Sequence, residues 1–145
     1  MFRIKKIISS VYDTLFLIRA HFLTLFKAPK HYLDYVIADK APIILISGVY
    51  ERWQFLRMIG NKISLKGHPV YVTENFGYNI KPIDTSARLI RKIIDDNNLN
   101  NVVIIGHSKG GLIAKYLLAY FNEDRRVMKV IAISSPFHGS YIVEI

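Results

Sequence analysis

The chain has 145 residues, of which 51% are hydrophobic and 21% are charged, which suits one globular domain of ordinary size. It contains no cysteine, and this excludes a disulfide framework, a thiolate nucleophile and a cysteine-ligated metal site. The formal net charge is +9, but no nucleic-acid-binding motif accompanies it, so we expect no nucleic-acid partner.

Residues 1–30 are predicted to form a separate basic amphipathic helix. Apolar residues recur there at helical spacing, whereas Asp13 and Arg19 interrupt the run and argue against a signal peptide or a membrane span. Two interpretations stay open. The helix lies on an anionic membrane surface through residues 1–27, or it packs on protein. The predicted location is the cytoplasm, at the inner membrane face under the first interpretation.

Residues 31–145 are predicted to form the second unit, in which strands and helices alternate. Short apolar, β-branched runs typical of strands buried on both faces occur at 42–47, 70–73, 102–105 and 127–134. Helical patterns occupy 51–66, 85–96 and 111–121, with Asp84 as the expected N-cap of the second helix. This order predicts an α/β fold with a mostly parallel sheet and helices on both faces.

The strongest chemical signal is a G-x-S-x-G pattern between the third strand and the third helix, Gly106-His107-Ser108-Lys109-Gly110. This strand–turn–helix context is the one that a nucleophile elbow requires, and it makes Ser108 the predicted nucleophile. The backbone N–H of Lys109 is the first predicted oxyanion donor, and we expect its side chain to be solvated. His107 is expected to be structural. An ordinary glycine-rich turn without catalysis is the alternative.

The loop after the first strand, residues 47–53, is the expected source of a second oxyanion donor. The glycine at position 48 permits a tight turn there, so the backbone N–H of Val49 is the preferred candidate and that of Tyr50 the second choice. A plain strand-to-helix loop without this role is the alternative.

Four segments in order, 47–56, 67–70, 106–112 and 134–140, give the chain a resemblance to the bacterial lipase/esterase branch of the α/β-hydrolases. Lipases of this kind commonly carry His-Gly where this chain has Ser47-Gly48, which is a departure at one position. The resemblance implies hydrolysis of a small-molecule ester or lipid through an acyl-enzyme on Ser108. It also implies that neither a metal nor an organic cofactor takes part.

The same resemblance places a catalytic acid and a histidine later in the chain than the serine. We therefore expect both beyond Ile145, with the 145 residues being the N-terminal half of a hydrolase that is weakly active or inactive by itself. Within the sequence, His138 is a weak candidate for the base and Glu144 a weaker one for the acid. Asp124 is expected at the wrong end of the sheet.

Two other functions remain open from the sequence. One is a non-catalytic membrane-surface or partner-binding module that keeps half of the hydrolase fold. The other is an acyltransferase or lipid deacylase, because an acyl-enzyme can pass its acyl group to an acceptor other than water.

Overall fold

A computed structural model describes residues 40–139 and, in the N-terminal segment, residues 10–12, 14, 15, 18, 19 and 22. These N-terminal residues have helical conformation, and the rest of the predicted amphipathic helix lies outside the described residues. The boundary predicted between residues 30 and 31 also lies outside them. Within the described part of the chain, no helix combines the length and the apolar character that crossing a bilayer requires.

Four parallel strands form the sheet: β1 (Ile43–Ile46), β2 (Val70–Val72), β3 (Val102–His107) and β4 (Val127–Ile133). Their spatial order is β2-β1-β3-β4, so β1 and β3 are central. Every residue of β1 is buried, as its continuous apolar run predicts for a strand covered on both faces. Because all four strands are parallel, their carboxyl ends meet at one edge of the sheet.

Three helices cover the sheet: α1 (Arg57–Ser64), α2 (Ile83–Asp96) and α3 (Lys109–Tyr120). Short 3₁₀ segments occupy Trp53–Leu56 and Glu74–Phe76. The helices divide between the two faces, which confirms the predicted fold class.

Each face of the sheet has its own apolar core, because successive strand residues point in opposite directions. On one face, α2 and α3 pack against the strands through Ile90, Ile94, Ile113 and Leu117, which meet Ile44, Ile46 and Ile104. On the other face, the Trp53–Leu56 segment and α1 pack through Trp53, Leu56, Ile59 and Ile63 against Ile43, Leu45 and Ile105.

Three predicted helix boundaries are wrong. Helix α2 begins at Ile83 with Pro82 as its N-cap, and no side chain makes a capping hydrogen bond, so Asp84 lies in the first turn. The predicted helix 51–66 starts as a 3₁₀ segment and ends at Ser64, which leaves Leu65 exposed. Helix α3 begins at Lys109, two residues earlier than predicted, directly after Ser108.

An ion cluster ties α2 to the connection between α3 and β4, at the end of the sheet opposite to Ser108. Arg91 donates to Asp124 at 2.6 Å, to Asp95 at 2.8 Å and to the carbonyl of Phe121 at 3.0 Å, and Arg126 donates to Asp124 at 3.0 Å. Hydrogen bonds from Arg91 are the main reason that the pKa of Asp124 falls to about 2 and that of Asp95 is also lowered. The same two carboxylates raise the pKa of Arg91.

We expect Asp124→Asn to destabilise the protein at neutral pH and to matter progressively less in acid. Because the pKa of Asp124 is lower in the folded chain than its ordinary value of 3.8, its contribution is complete above about pH 4. The contribution is lost as the pH falls through the folded pKa near 2. Since the carboxylate is partly solvent-exposed, the loss at pH 7 should be about 1 kcal/mol or less.

Urea unfolding of the two proteins between pH 7 and pH 2 measures this difference. The matched control is Asp96→Asn, which removes a carboxylate bound to Lys92 one helical turn away in an exposed pair. A stability difference between the original protein and Asp124→Asn that stays constant down to pH 2 would contradict the assignment.

Candidate functional site

Ser108 lies between the end of β3 and the first turn of α3, in a backbone conformation that non-glycine residues rarely adopt. Its φ is 49° and its ψ is −119°. Such a conformation costs about 1–3 kcal/mol and persists only where the surroundings enforce it. Here the N–H of Ser108 donates to the carbonyl of Ile133 at 2.8 Å, and its carbonyl accepts from Gly111 at 3.1 Å. These bonds fix the sharp turn that presents the serine.

Two glycines allow the strand and the helix to approach each other this closely. A Cβ added to Gly106 would lie 2.5 Å from the backbone of Gly110 and of Gly111. A Cβ added to Gly110 would collide with the carbonyl of Ile46 at the end of β1. The glycines of the G-x-S-x-G pattern are therefore required by the packing of β1, β3 and α3.

The N-terminus of α3 lies directly at Ser108, because Lys109 is the first residue of the helix. The first N–H groups of a helix have no acceptor within it and carry a partial positive charge. The structure thus places the backbone of Lys109, the first predicted oxyanion donor, beside the predicted nucleophile. The earlier start of α3 makes this charge effect stronger at Ser108 than a helix beginning at residue 111 would allow.

The loop after β1 lies against the Ser108 turn. A Cβ added to Gly48 would lie 3.1 Å from the Cβ of Ser108. The N–H of Glu51 donates to the carbonyl of Gly48 at 3.3 Å and closes a four-residue turn with Val49 and Tyr50 at its centre. The φ of Tyr50 is 60°, a second strained backbone position at this edge of the sheet. The structure therefore brings Gly48, the residue before Val49, against Ser108.

Glu51 is a residue of the site that sequence reasoning missed. Its Oε2 atom accepts from the N–H of Gly48 at 2.7 Å and lies 2.9 Å from Nδ1 of His107. The imidazole ring of His107 also packs on Phe55, with 5.2 Å between the ring centroids. The side chain before the serine is thus bound to the loop after β1. Glu51 and His107 are 56 positions apart, so no local pattern could reveal the pair.

The expectation that the Lys109 side chain is solvated is wrong. Its ammonium donates to the carbonyls of Asn79 at 2.8 Å and of Lys81 at 2.6 Å, and burial lowers its pKa. The side-chain amide of Asn79 in turn donates to the carbonyl of Ser47 at 2.7 Å. Lys109 therefore fastens the loop after β2 to the elbow, and Asn79 fastens the same loop to the end of β1.

The described histidines have different positions relative to Ser108. His68 precedes β2 at the opposite edge of the sheet, with Nδ1 2.8 Å from the carbonyl of Ala41. His138 lies exposed in the turn after β4, at the same edge as Ser108. Within residues 40–139, no three His, Cys, Asp or Glu side chains group closely enough to hold a metal ion.

Comparison with protein families gives a match to the sequence model of the PGAP1-like alpha/beta domain over residues 71–144, half of the chain. The chain belongs to the PGAP1-like alpha/beta domain family. The matched part of this domain runs from β2 through the Ser108 turn and α3 to the segment after β4. No curated protein matches the chain.

Solved structures that resemble this PGAP1-like domain are α/β-hydrolases. The mature form of the Bacillus licheniformis lipase BlEst2 is 20% identical with a TM-score of 0.60, and the match covers 80% of this chain and 47% of the lipase. An extracellular α/β-hydrolase from a Paenibacillus species is 19% identical (TM-score 0.58), with 66% and 41% of the two chains covered. A monoacylglycerol lipase from Paleococcus ferrophilus is also 19% identical (TM-score 0.53), with 66% and 40% covered.

These likenesses confirm the resemblance to the α/β-hydrolases and establish the fold. The chain spans less than half the length of each of these three neighbours. The PGAP1-like domain described here thus has the α/β-hydrolase fold.

We expect Lys109→Met to loosen the loop of residues 77–82. The methionine keeps most of the side-chain volume but leaves the carbonyls of Asn79 and Lys81 without the ammonium donor. Amide hydrogen exchange followed by mass spectrometry should show exchange in residues 77–82 at least about 10-fold faster, because each charge-assisted bond contributes about 1.5–3 kcal/mol. Lys115→Met, on the exposed side of the same helix, is the control. Equal exchange in both variants would show that the Lys109 bonds do not hold the loop.

Proposed function

We propose that the protein is a serine ester hydrolase whose nucleophile is Ser108. The observation that carries this proposal is the strained turn at Ser108, which lies between a parallel strand and the N-terminus of a helix, against the loop after β1. Strained backbone geometry is found preferentially at functional sites, and a helix N-terminus favours the negative charge that develops during acyl transfer.

In the proposed reaction, Oγ of Ser108 attacks the carbonyl carbon of the ester while a base takes its proton. The backbone N–H groups of Val49 and Lys109 stabilise the resulting oxyanion. The ester C–O bond then breaks, and the alcohol leaves with a proton from the same base. Water hydrolyses the acyl–Ser108 ester in the second half of the reaction, which releases the carboxylic acid and restores the serine.

We propose that the base is a histidine, oriented by an acid, and that both belong to chain beyond Ile145. In the described structure, His107 is bound to Glu51 and His68 lies at the far edge of the sheet. Asp124 belongs to the ion cluster around Arg91, also at the far edge. Structural neighbours more than twice as long as the matched region support this proposal.

The proposed substrates are small-molecule esters or lipids. A lipase and a monoacylglycerol lipase among the structural neighbours support this class of substrate.

In protein that includes the chain beyond Ile145, we expect Ser108→Ala to abolish covalent labelling by a fluorophosphonate probe and to lower ester hydrolysis by about 10³-fold or more. Intact-mass spectrometry detects the adduct, and peptide mapping locates it. Ser134→Ala is the matched control, because Ser134 also has a positive φ at the end of a strand, with φ 49°. Labelling that persists in Ser108→Ala would refute the nucleophile assignment. If the longer protein with Ser108 intact neither labels nor hydrolyses esters, a non-catalytic binding module is favoured.

We also propose that residues 1–27 make peripheral contact with an anionic membrane, at the inner face of the cytoplasmic membrane. The described apolar residues of this segment support the proposal, since they are helical and more than half exposed at i, i+4, i+7 and i+11 spacing: Val11, Leu15, Ile18 and Phe22. A helix with such an exposed stripe and with basic residues binds anionic lipid through both apolar and electrostatic contact.

We expect the protein to bind vesicles that contain anionic lipid more tightly than neutral vesicles, and to bind them less tightly as salt is added. Replacing Lys5 and Lys6 by Glu should weaken binding by about 10-fold or more, at about 1 kcal/mol per basic residue near the surface. The control replaces Lys62 and Lys66, which makes the same change in net charge away from the segment. Vesicle co-sedimentation measures the effect. Equal weakening by both pairs would mean that net charge alone attracts the protein.

A further inference from the structure

We propose that Glu51 is a positioning residue that holds the oxyanion turn in place and so selects Val49 as its donor. This inference rests on the proposed hydrolase function, because it assigns a role within the same site. Glu51 does not touch the substrate in this proposal. It acts through the backbone of the turn at residues 48–51.

Three hydrogen bonds hold Glu51 to the two residues that follow β1. The Gly48 N–H donates to the carboxylate at 2.7 Å, and the Glu51 N–H donates back to the Gly48 carbonyl at 3.3 Å. The hydroxyl of Ser47 donates to the backbone carbonyl of Glu51 at 3.1 Å. Both the side chain and the backbone of Glu51 therefore close the turn, and this closure can offset the strain at Tyr50.

The bond to Glu51 determines which N–H group faces the reaction. Gly48 lies against Ser108, but its N–H points to a carboxylate oxygen and cannot also bind an oxyanion. The donor role then falls to Val49, the next residue in the turn. A carboxylate acceptor makes a stronger bond than a neutral one, so the orientation of Gly48 is well defined.

The same carboxylate oxygen joins the turn to the residue before the nucleophile. Nδ1 of His107 lies 2.9 Å from Oε2 of Glu51, and the two side chains are only 21% and 16% exposed. With Glu51 as a carboxylate, which only accepts, Nδ1 of His107 is the donor of the second bond. Glu51 thus connects the two parts of the site whose separation must be fixed, namely the oxyanion turn and the serine elbow.

Kinetics of the full protein with a small ester, p-nitrophenyl acetate, test this role. We expect Glu51→Ala to lower kcat by about 10- to 100-fold with little change in KM, because a displaced oxyanion donor acts only in the transition state. Glu51→Gln retains an acceptor for the Gly48 N–H and should keep kcat within about 5-fold. Glu74→Ala, an exposed acid after β2 at the same edge of the sheet, is the control and should behave like the original protein.

An NMR measurement on the same proteins tests the bond without relying on activity. A short bond to a carboxylate shifts an amide proton downfield, so the Gly48 resonance should lie far downfield in the original protein and move upfield in Glu51→Gln. If Glu51→Ala fails to fold, the NMR comparison with Glu51→Gln still tests the bond, because glutamine preserves the shape of the side chain.

The two measurements separate failure of this inference from failure of the proposed function. A Gly48 resonance that is unchanged in Glu51→Gln, or a Glu51→Ala protein with unchanged kcat, overturns the positioning role. An original protein that shows no ester hydrolysis refutes the proposed function, while the Gly48 resonance still reports whether Glu51 binds that amide.

Discussion

The contact between β1, β3 and the N-terminus of α3 leaves no room for a side chain at Gly106 or Gly110, and the rest of the site depends on this constraint. Because the three elements meet backbone to backbone, Ser108 is forced into a positive φ at the sheet edge. The strain at this residue is offset by the buried apolar cores on both faces of the sheet, which hold the strands and helices in place.

The two side chains beside Ser108 extend this rigidity to the surrounding loops. His107 binds Glu51 in the loop after β1, while Lys109 binds the backbone of the loop after β2. Both loops follow strands that end at the same edge, so polar bonds of moderate strength suffice to fix them against the elbow. In this way, the residues at the two variable positions of the G-x-S-x-G pattern fix the loops that surround Ser108.

Features that serve stability lie at the other end of the sheet. The Arg91 cluster joins α2 to the connection between α3 and β4, far from the strained turn. Loops at the carboxyl ends of the strands are therefore free to carry polar contacts that shape a site.

The sequence by itself determined the strand and helix order, the parallel sheet and the position of the elbow, because apolar periodicity and glycine spacing are local properties of the chain. It placed helix ends less well: Asp84 carries a capping side chain, yet packing starts α2 at Ile83. Tertiary structure alone decided the bond between Glu51 and His107 and the two bonds of the Lys109 ammonium, since these bonds join residues 28 to 56 positions apart. Such contacts arise only when the fold brings separate strand ends together, and no local pattern encodes them.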